Sequence, residues 1–174
     1  MMQLPVKKIT FLGLFICIGL ILGYLESLIV IPVGVPGVKL GISNIITVIT
    51  LYLFGPIFSL TTLFGRIFLS NLLFGSASSF IYSFSGAIVS FGGMFLLKKC
   101  SVFSVYGVSI LGGVLHNLAQ LLVASLLVRV PYIFYYLPVL IIAGLAAGCF
   151  VGFVSQLLIK RLDRFFLNLN KGSN

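Results

Sequence analysis

Long apolar runs follow one another along this chain, separated by short stretches that hold turn-forming and charged residues. Each run approaches the ~20 residues that a helix needs to cross the ~30 Å hydrocarbon core of a bilayer. A transmembrane β-barrel would instead show shorter segments of alternating hydrophobicity. The pattern therefore predicts an all-α membrane protein with one integral membrane domain over residues 1–174. Its six transmembrane helices are expected at about 9–31, 38–54, 57–74, 80–97, 105–128 and 136–159.

The second and third predicted spans are short and are separated by only Gly55 and Pro56. Proline cannot continue the preceding helix but is well suited to the first turn of the next one. We therefore expect these two spans to form a tight helical hairpin.

The composition agrees with a membrane location. The chain is 60% hydrophobic and only 7% charged, and its mean hydropathy is +1.28. Because about a quarter of the residues in a soluble domain are charged, these values exclude a soluble globular protein.

The net charge of +9 does not indicate a nucleic-acid partner. Most basic residues lie at the ends of apolar runs, as Lys7-Lys8, Lys98-Lys99 and a group over residues 160–171. In a six-span topology these three groups fall on one side of the membrane. The positive-inside rule then predicts a multi-pass protein of the bacterial cytoplasmic membrane with both termini cytoplasmic.

Polar side chains interrupt the apolar runs at four places. A charged group near the bilayer centre costs several kcal/mol, so such residues tend to face inward and to serve a function. They lie in the first, second, third and fifth spans: Glu26; Lys39, Ser43 and Asn44; Arg66 and Asn71; and His116, Asn117 and Gln120.

Helical spacing predicts that these groups converge. Gln120 is four residues from His116 and three from Asn117, so we expect all three on one face of the fifth helix. Together with the polar residues of the other spans they would form a substrate-binding pocket that opens outward. Since cations outnumber its one carboxylate, a small anionic or zwitterionic molecule is expected to bind there.

The depth of these groups is estimated by counting from the outer ends of the spans. Lys39 and Asn44 are then expected to be shallow, whereas Arg66 and His116 are expected near mid-depth. Structural alternatives remain open: Lys39 could extend to the outer headgroups, and Arg66 could form an ion pair with Glu26.

The fifth span also has structural alternatives. His116 could be a hydrogen-bonded core residue, and Asn117 and Gln120 could be interhelical polar contacts. In that case the chain would be a non-transporting membrane scaffold.

Small residues recur at four-residue spacing in two spans. Such a pattern lets helix backbones approach closely, either within the chain or against a partner helix. The residues that follow it are Gly19 and Gly23 in the first span and Gly144, Gly148 and Gly152 in the sixth.

Catalysis by the chain alone is not expected. Glu26 and Asp163 are its two acidic residues and lie near opposite membrane faces. Neither paired carboxylates nor metal-ligand spacing nor a phosphate-binding loop is present in the sequence, so no metal and no cofactor are predicted.

The segments PGVKLGISNI (36–45), LYLFGP (51–56) and GGVLHNLAQLLVA (112–124) resemble the Gx transporter family, also labelled heptaprenyl diphosphate synthase component I. That family is similar to the substrate-binding S components of energy-coupling factor (ECF) transporters. The resemblance implies a six-helix S component that works with a membrane coupling protein and two ATPases. It implies roles for Lys39, Asn44, Arg66, His116, Asn117 and Gln120.

The second family label implies a different function. Prenyl diphosphate synthases bind magnesium pyrophosphate through aspartate-rich motifs, and this chain has one aspartate. The label would therefore fit an accessory membrane subunit that joins a soluble prenyl diphosphate synthase in quinone side-chain synthesis. In either case membrane lipid surrounds the chain.

Overall fold

The computed structural model describes residues 5–28, 41–100, 102–128 and 131–171. Within these ranges the chain contains no strand, and five of its helices are long and apolar enough to cross a membrane. The predicted all-α membrane fold is thus confirmed. The helices are α1 (Pro5–Leu28), α2 (Asn44–Leu53), α3 (Pro56–Phe74), α4 (Ala77–Lys99), α5 (Val105–Val128) and α6 (Leu137–Lys171), with a 3₁₀ turn at Pro131–Tyr136.

The observed and predicted spans differ mainly in the second and the sixth. The predicted bounds of the fifth span coincide with α5, and those of the third differ from α3 by one residue. Helix α6 continues well beyond the predicted end at 159. Helix α2 has only 10 residues, because Gly41 with a φ of 72° lies just before it in a left-handed conformation that interrupts regular structure.

Helix α2 is the centre of the bundle. Every residue from Ile45 to Leu51 is buried, and α2 packs against α1, α3 and α6. Two hydroxyl groups at the contact between α2 and α3 bond to carbonyls of α2: the Thr50 hydroxyl donates to the Ile46 carbonyl at 2.7 Å, and the Ser59 hydroxyl of α3 donates to the Thr47 carbonyl at 2.8 Å. At 1.5 Å per residue α2 is about 15 Å long, roughly half the thickness of the hydrocarbon core.

The expected hairpin is present between α2 and α3. Gly55 supplies a φ of 89°, which side chains rarely adopt, and Pro56 begins α3. The Phe54 and Phe58 rings stack across the turn with their centroids 4.6 Å apart. Because the turn is so short, α2 and α3 are antiparallel, and the end of α2 lies beside the beginning of α3.

Helices α5 and α6 approach each other through their glycines. A methyl group added at Gly148 would lie 2.5 Å from Cα of Ile110, and one added at Gly113 would lie 2.4 Å from the Gly144 carbonyl oxygen. Gly152 likewise faces the Tyr106 backbone of α5. The glycines at 144, 148 and 152 therefore pack within the chain.

Candidate functional site

A polar cavity of about 50 Å³ lies between the helices at the start of α2. A volume of this order holds a few water molecules or a chemical group of similar size. Its walls come from α1 to α5 and from the segment that precedes α2. The lining residues are Gly23, Glu26, Gly41, Ser43, Asn44, Arg66, Ile67, Ser70, Asn71, Ser83, Ala87 and His116.

Arg66 provides the positive charge of this cavity. It lies near the middle of α3 and is 9% exposed. Its Nη2 donates to Oδ1 of Asn44 at 3.3 Å, while its Nε has no hydrogen-bond partner among the described residues. A guanidinium offers five N–H donors. A buried donor that is left without a hydrogen-bond partner is destabilising. Arg66 thus retains unused hydrogen-bonding capacity at the cavity.

The Arg66 side chain fits because α1 has a glycine opposite it. A methyl group at Gly19 would lie 2.7 Å from Cδ of Arg66. In return, Gly65 of α3 makes room for Ile16 of α1. The structure thus assigns Gly19 a contact within the chain, whereas Gly23 lies beside Ser43 at the cavity.

Glu26 supplies the negative charge and closes the beginning of α2. Its carboxylate accepts hydrogen bonds from the Gly41 N–H at 2.5 Å, the Ser43 N–H at 3.4 Å and the Ser43 hydroxyl at 3.3 Å. Ser43 is buried just before α2, and a carboxylate at the beginning of a helix complements the helix dipole. A structural role therefore accounts for the burial of Glu26 at this position.

His116 reaches the cavity from α5 by lying against a glycine of α4. A methyl group at Gly86 would be 2.8 Å from Cε1 of His116 and 3.1 Å from Cγ of Gln120. His116 and Gln120 therefore share the face of α5 that meets α4, as their four-residue spacing predicts.

Asn117 lies on another side of α5. Its amide donates to the Leu140 carbonyl of α6 at 2.9 Å, and the residue is buried. The expectation that His116, Asn117 and Gln120 share one face was wrong for Asn117, because adjacent residues on a helix are about 100° apart. Here the interhelical polar contact accounts for Asn117.

Asn44 lies deeper than the sequence count suggested. It contacts Arg66, and the two residues lie at equal numbers of positions before and after Gly55. The count from the outer end misplaced Asn44 because it assumed a helix from residue 38, whereas α2 begins at Asn44. Lys39 lies outside the described residues.

Comparison with known families shows which family the chain belongs to. A family model described as heptaprenyl diphosphate synthase component I matches residues 15–158. The chain belongs to the heptaprenyl diphosphate synthase component I family. No curated protein and no solved structure matches it. The family name refers to a component, which implies a multi-subunit complex.

The match to component I covers all residues that line the cavity, from Gly23 to His116. Some of them were not found by sequence reasoning. Ser83 and Ala87 of α4 line the cavity, but Ser83 is one of several serines in its helix and has no distinguishing pattern.

Neutral polar groups complete the lining of the cavity. Asn71 lines it from α3, although its amide donates to the Ile67 carbonyl of its own helix at 2.8 Å. Ser70 and Ser83 add hydroxyl groups. Within the described ranges, no three His, Cys, Asp or Glu residues come together as metal ligands. The arrangement offers a buried guanidinium whose Nε has no partner among the described residues, a buried carboxylate and several neutral polar groups.

Proposed function

We propose that this protein is the membrane-embedded substrate-binding component of an ECF-type importer, and that its cargo is a small molecule with a negatively charged group. The observation that carries the proposal is the buried guanidinium of Arg66, whose Nε has no partner among the described residues and which lines a polar cavity inside the bundle. Ionisable residues in such positions commonly mark substrate pathways.

The lining residues have distinct proposed roles. Arg66 donates to the anionic group of the cargo, and Asn44 orients the guanidinium through its Oδ1. His116, Asn71 and Ser43 supply neutral polar contacts around it. Lys39 and Gln120 are proposed to complete the outer part of the site.

The proposed transport direction is inward across the cytoplasmic membrane, with both termini cytoplasmic. Arg66 is eight residues from Phe74, the outer end of α3 in this topology, which corresponds to about 12 Å. The sequence carries no phosphate-binding loop, so energy is proposed to come from a coupling protein and two ATPases. The chain itself is proposed to be non-catalytic.

Native mass spectrometry of the full chain, extracted in mild detergent, tests the binding role. We expect a retained small molecule in the wild type and in Arg164→Gln, which removes an exposed charge on α6. Arg66→Gln should lose it, since glutamine cannot supply a charge-assisted donor. Equal retention in both variants would refute the assignment of Arg66, and retention in none of the three proteins would favour a scaffold.

The family description supports a second candidate, an accessory subunit of polyprenyl diphosphate synthesis. A diphosphate is also an anionic group that an arginine would bind. This candidate predicts co-purification with a soluble, aspartate-rich synthase and retention of a prenyl diphosphate. The importer predicts co-purification with a coupling protein and ATPases, so one pull-down from native membranes distinguishes the two.

A further inference from the structure

The described lining of the cavity contains one positive and one negative group. Arg66 and Glu26 both line it, and the remaining described lining residues are uncharged apart from the titratable His116. The formal charges of Arg66 and Glu26 therefore cancel within the described lining, which suits a site surrounded by hydrocarbon.

Each of the two charged groups retains hydrogen-bonding capacity. Arg66 has an Nε without a partner among the described residues. Glu26 accepts three hydrogen bonds, whereas the two oxygens of a carboxylate offer about four lone-pair positions. Among the described residues, one acceptor position of Glu26 is therefore still available, and Arg66 and Glu26 line the same cavity.

A ligand with a single charge would be opposed by one of these groups. An anion beside Arg66 would face the carboxylate of Glu26, and a cation beside Glu26 would face the guanidinium. A ligand that carries one oxyanion and one ammonium meets both charges favourably and leaves the cavity neutral.

We propose that the cavity between Arg66 and Glu26 binds a zwitterionic group, with its oxyanion on Arg66 and its ammonium on Glu26. This inference rests on the proposed binding function and narrows its ligand class. A cavity of about 50 Å³ excludes a large molecule, so only a small charged group can enter it. The group could therefore belong to a free amino-acid-like solute or to a lipid headgroup of the phosphoethanolamine type.

Thermal unfolding of the detergent-solubilised full chain at about pH 8 tests the ligand class. The probes are glycine and glycerophosphoethanolamine as zwitterions, acetate and inorganic phosphate as anions, and methylammonium as a cation, at equal ionic strength. We expect a zwitterion to raise Tm by about 5 °C near saturation, and the probes that carry charge of only one sign to have no effect. Both Arg66→Gln and Glu26→Gln should abolish the shift, whereas Arg164→Gln and Asp163→Asn, on the exposed part of α6, should keep it.

The source of the zwitterion is distinguished in nanodiscs of phosphatidylglycerol with or without phosphatidylethanolamine. Retention of phosphatidylethanolamine by the ejected protein would identify a lipid headgroup, and a glycine effect without such retention would identify a free solute. Either result supports the inference.

Two outcomes would overturn the assignment of a zwitterion and are separable from failure of the proposed function. A shift in the wild type with acetate or phosphate equal to that with glycine would show a simple anion site, and the binding function would stand. If the wild type showed neither a shift with any zwitterion nor retention of phosphatidylethanolamine, the inference would also be contradicted, and neither measurement depends on whether Glu26→Gln folds.

Discussion

At the scale of single residues, Arg66 depends on a glycine of another helix for its position. Gly19 lacks the methyl group that would lie 2.7 Å from Cδ of Arg66. We predict that Gly19→Ala displaces the guanidinium and weakens retention of the bound molecule at least tenfold. It should also cost about 1–3 kcal/mol of stability, as overpacking does. Native mass spectrometry and thermal unfolding measure the two effects.

Gly13→Ala is the matched control, since it lies on the same helix and an added methyl group there meets no atom within 4 Å. We expect it to retain the bound molecule. If Gly19→Ala and Gly13→Ala behaved alike, the side chain of Arg66 would have more freedom than this packing implies.

At the scale of the helix, α2 is held at both ends by charges of the appropriate sign. Glu26 of α1 accepts from the N–H groups at its beginning, and Lys98 of α4 donates from Nζ to the Leu51 carbonyl near its end at 2.6 Å. The same ammonium lies 4.8 Å from the centre of the Tyr52 ring. Both contacts complement the helix dipole, so a helix too short to span the bilayer is anchored to its neighbours at each end.

We predict that Lys98→Met destabilises the bundle by about 1 kcal/mol, because it removes a charged hydrogen bond and a cation–π contact. For a chain of this length the corresponding fall in Tm is about 2–4 °C. Lys160→Met, which removes an exposed lysine of α6, serves as the control and should change Tm little. A similar fall in Tm in both variants would indicate a general effect of losing positive charge, and not the loss of a specific contact at the end of α2.

The contact between α5 and α6 gives a second prediction about helices. A methyl group at Gly148 would lie 2.5 Å from Cα of Ile110 and 2.8 Å from the Ser109 carbonyl oxygen. Because backbone atoms cannot move aside as a side chain can, we expect Gly148→Ala to cost about 3 kcal/mol. Gly92→Ala, with no atom within 4 Å of the added methyl group, should be nearly neutral in the same unfolding experiment. Equal stability of the two variants would mean that the helices can separate at low cost.

Much of this arrangement of helices could be predicted from the apolar runs and the turn at Gly55. The hairpin brings Asn44 and Arg66 together, because they lie equally far from that glycine in opposite directions. The sequence did not indicate where α2 begins, because the positive φ of Gly41, which lies just before the helix, cannot be read from an apolar run.

Contacts between helices were harder to predict than the helices themselves. Spacing identifies the residues of one helix that share a face, but it does not identify the neighbouring helix. The spacing of Gly19 therefore left packing within the chain and a partner surface both open, and the structure shows that it faces Arg66. Asn117 suggested a ligand contact, although it binds the Leu140 carbonyl.

At the scale of the whole molecule, the natural cysteines provide a test of orientation. Cys100 follows α4 directly and is exposed, while Cys17 and Cys149 are exposed within α1 and α6. The thiolate is the reactive form, and apolar surroundings suppress it. A maleimide in water should therefore modify Cys100 and leave Cys17 and Cys149 unmodified in the bilayer.

We predict that a membrane-impermeant maleimide fails to label the chain in intact spheroplasts and labels one thiol per chain after permeabilisation, because Cys100 is expected on the cytoplasmic side with Lys98 and Lys99. Cys100→Ser should abolish that labelling. Ser78→Cys, placed in the C100S background at the exposed start of α4, should be labelled without permeabilisation. Labelling of Cys100 in intact spheroplasts would show that the topology is the reverse of the predicted one. The end of α3 nearest the cavity would then face the cytoplasm, so the Arg66 site could not capture a solute from outside by the proposed route.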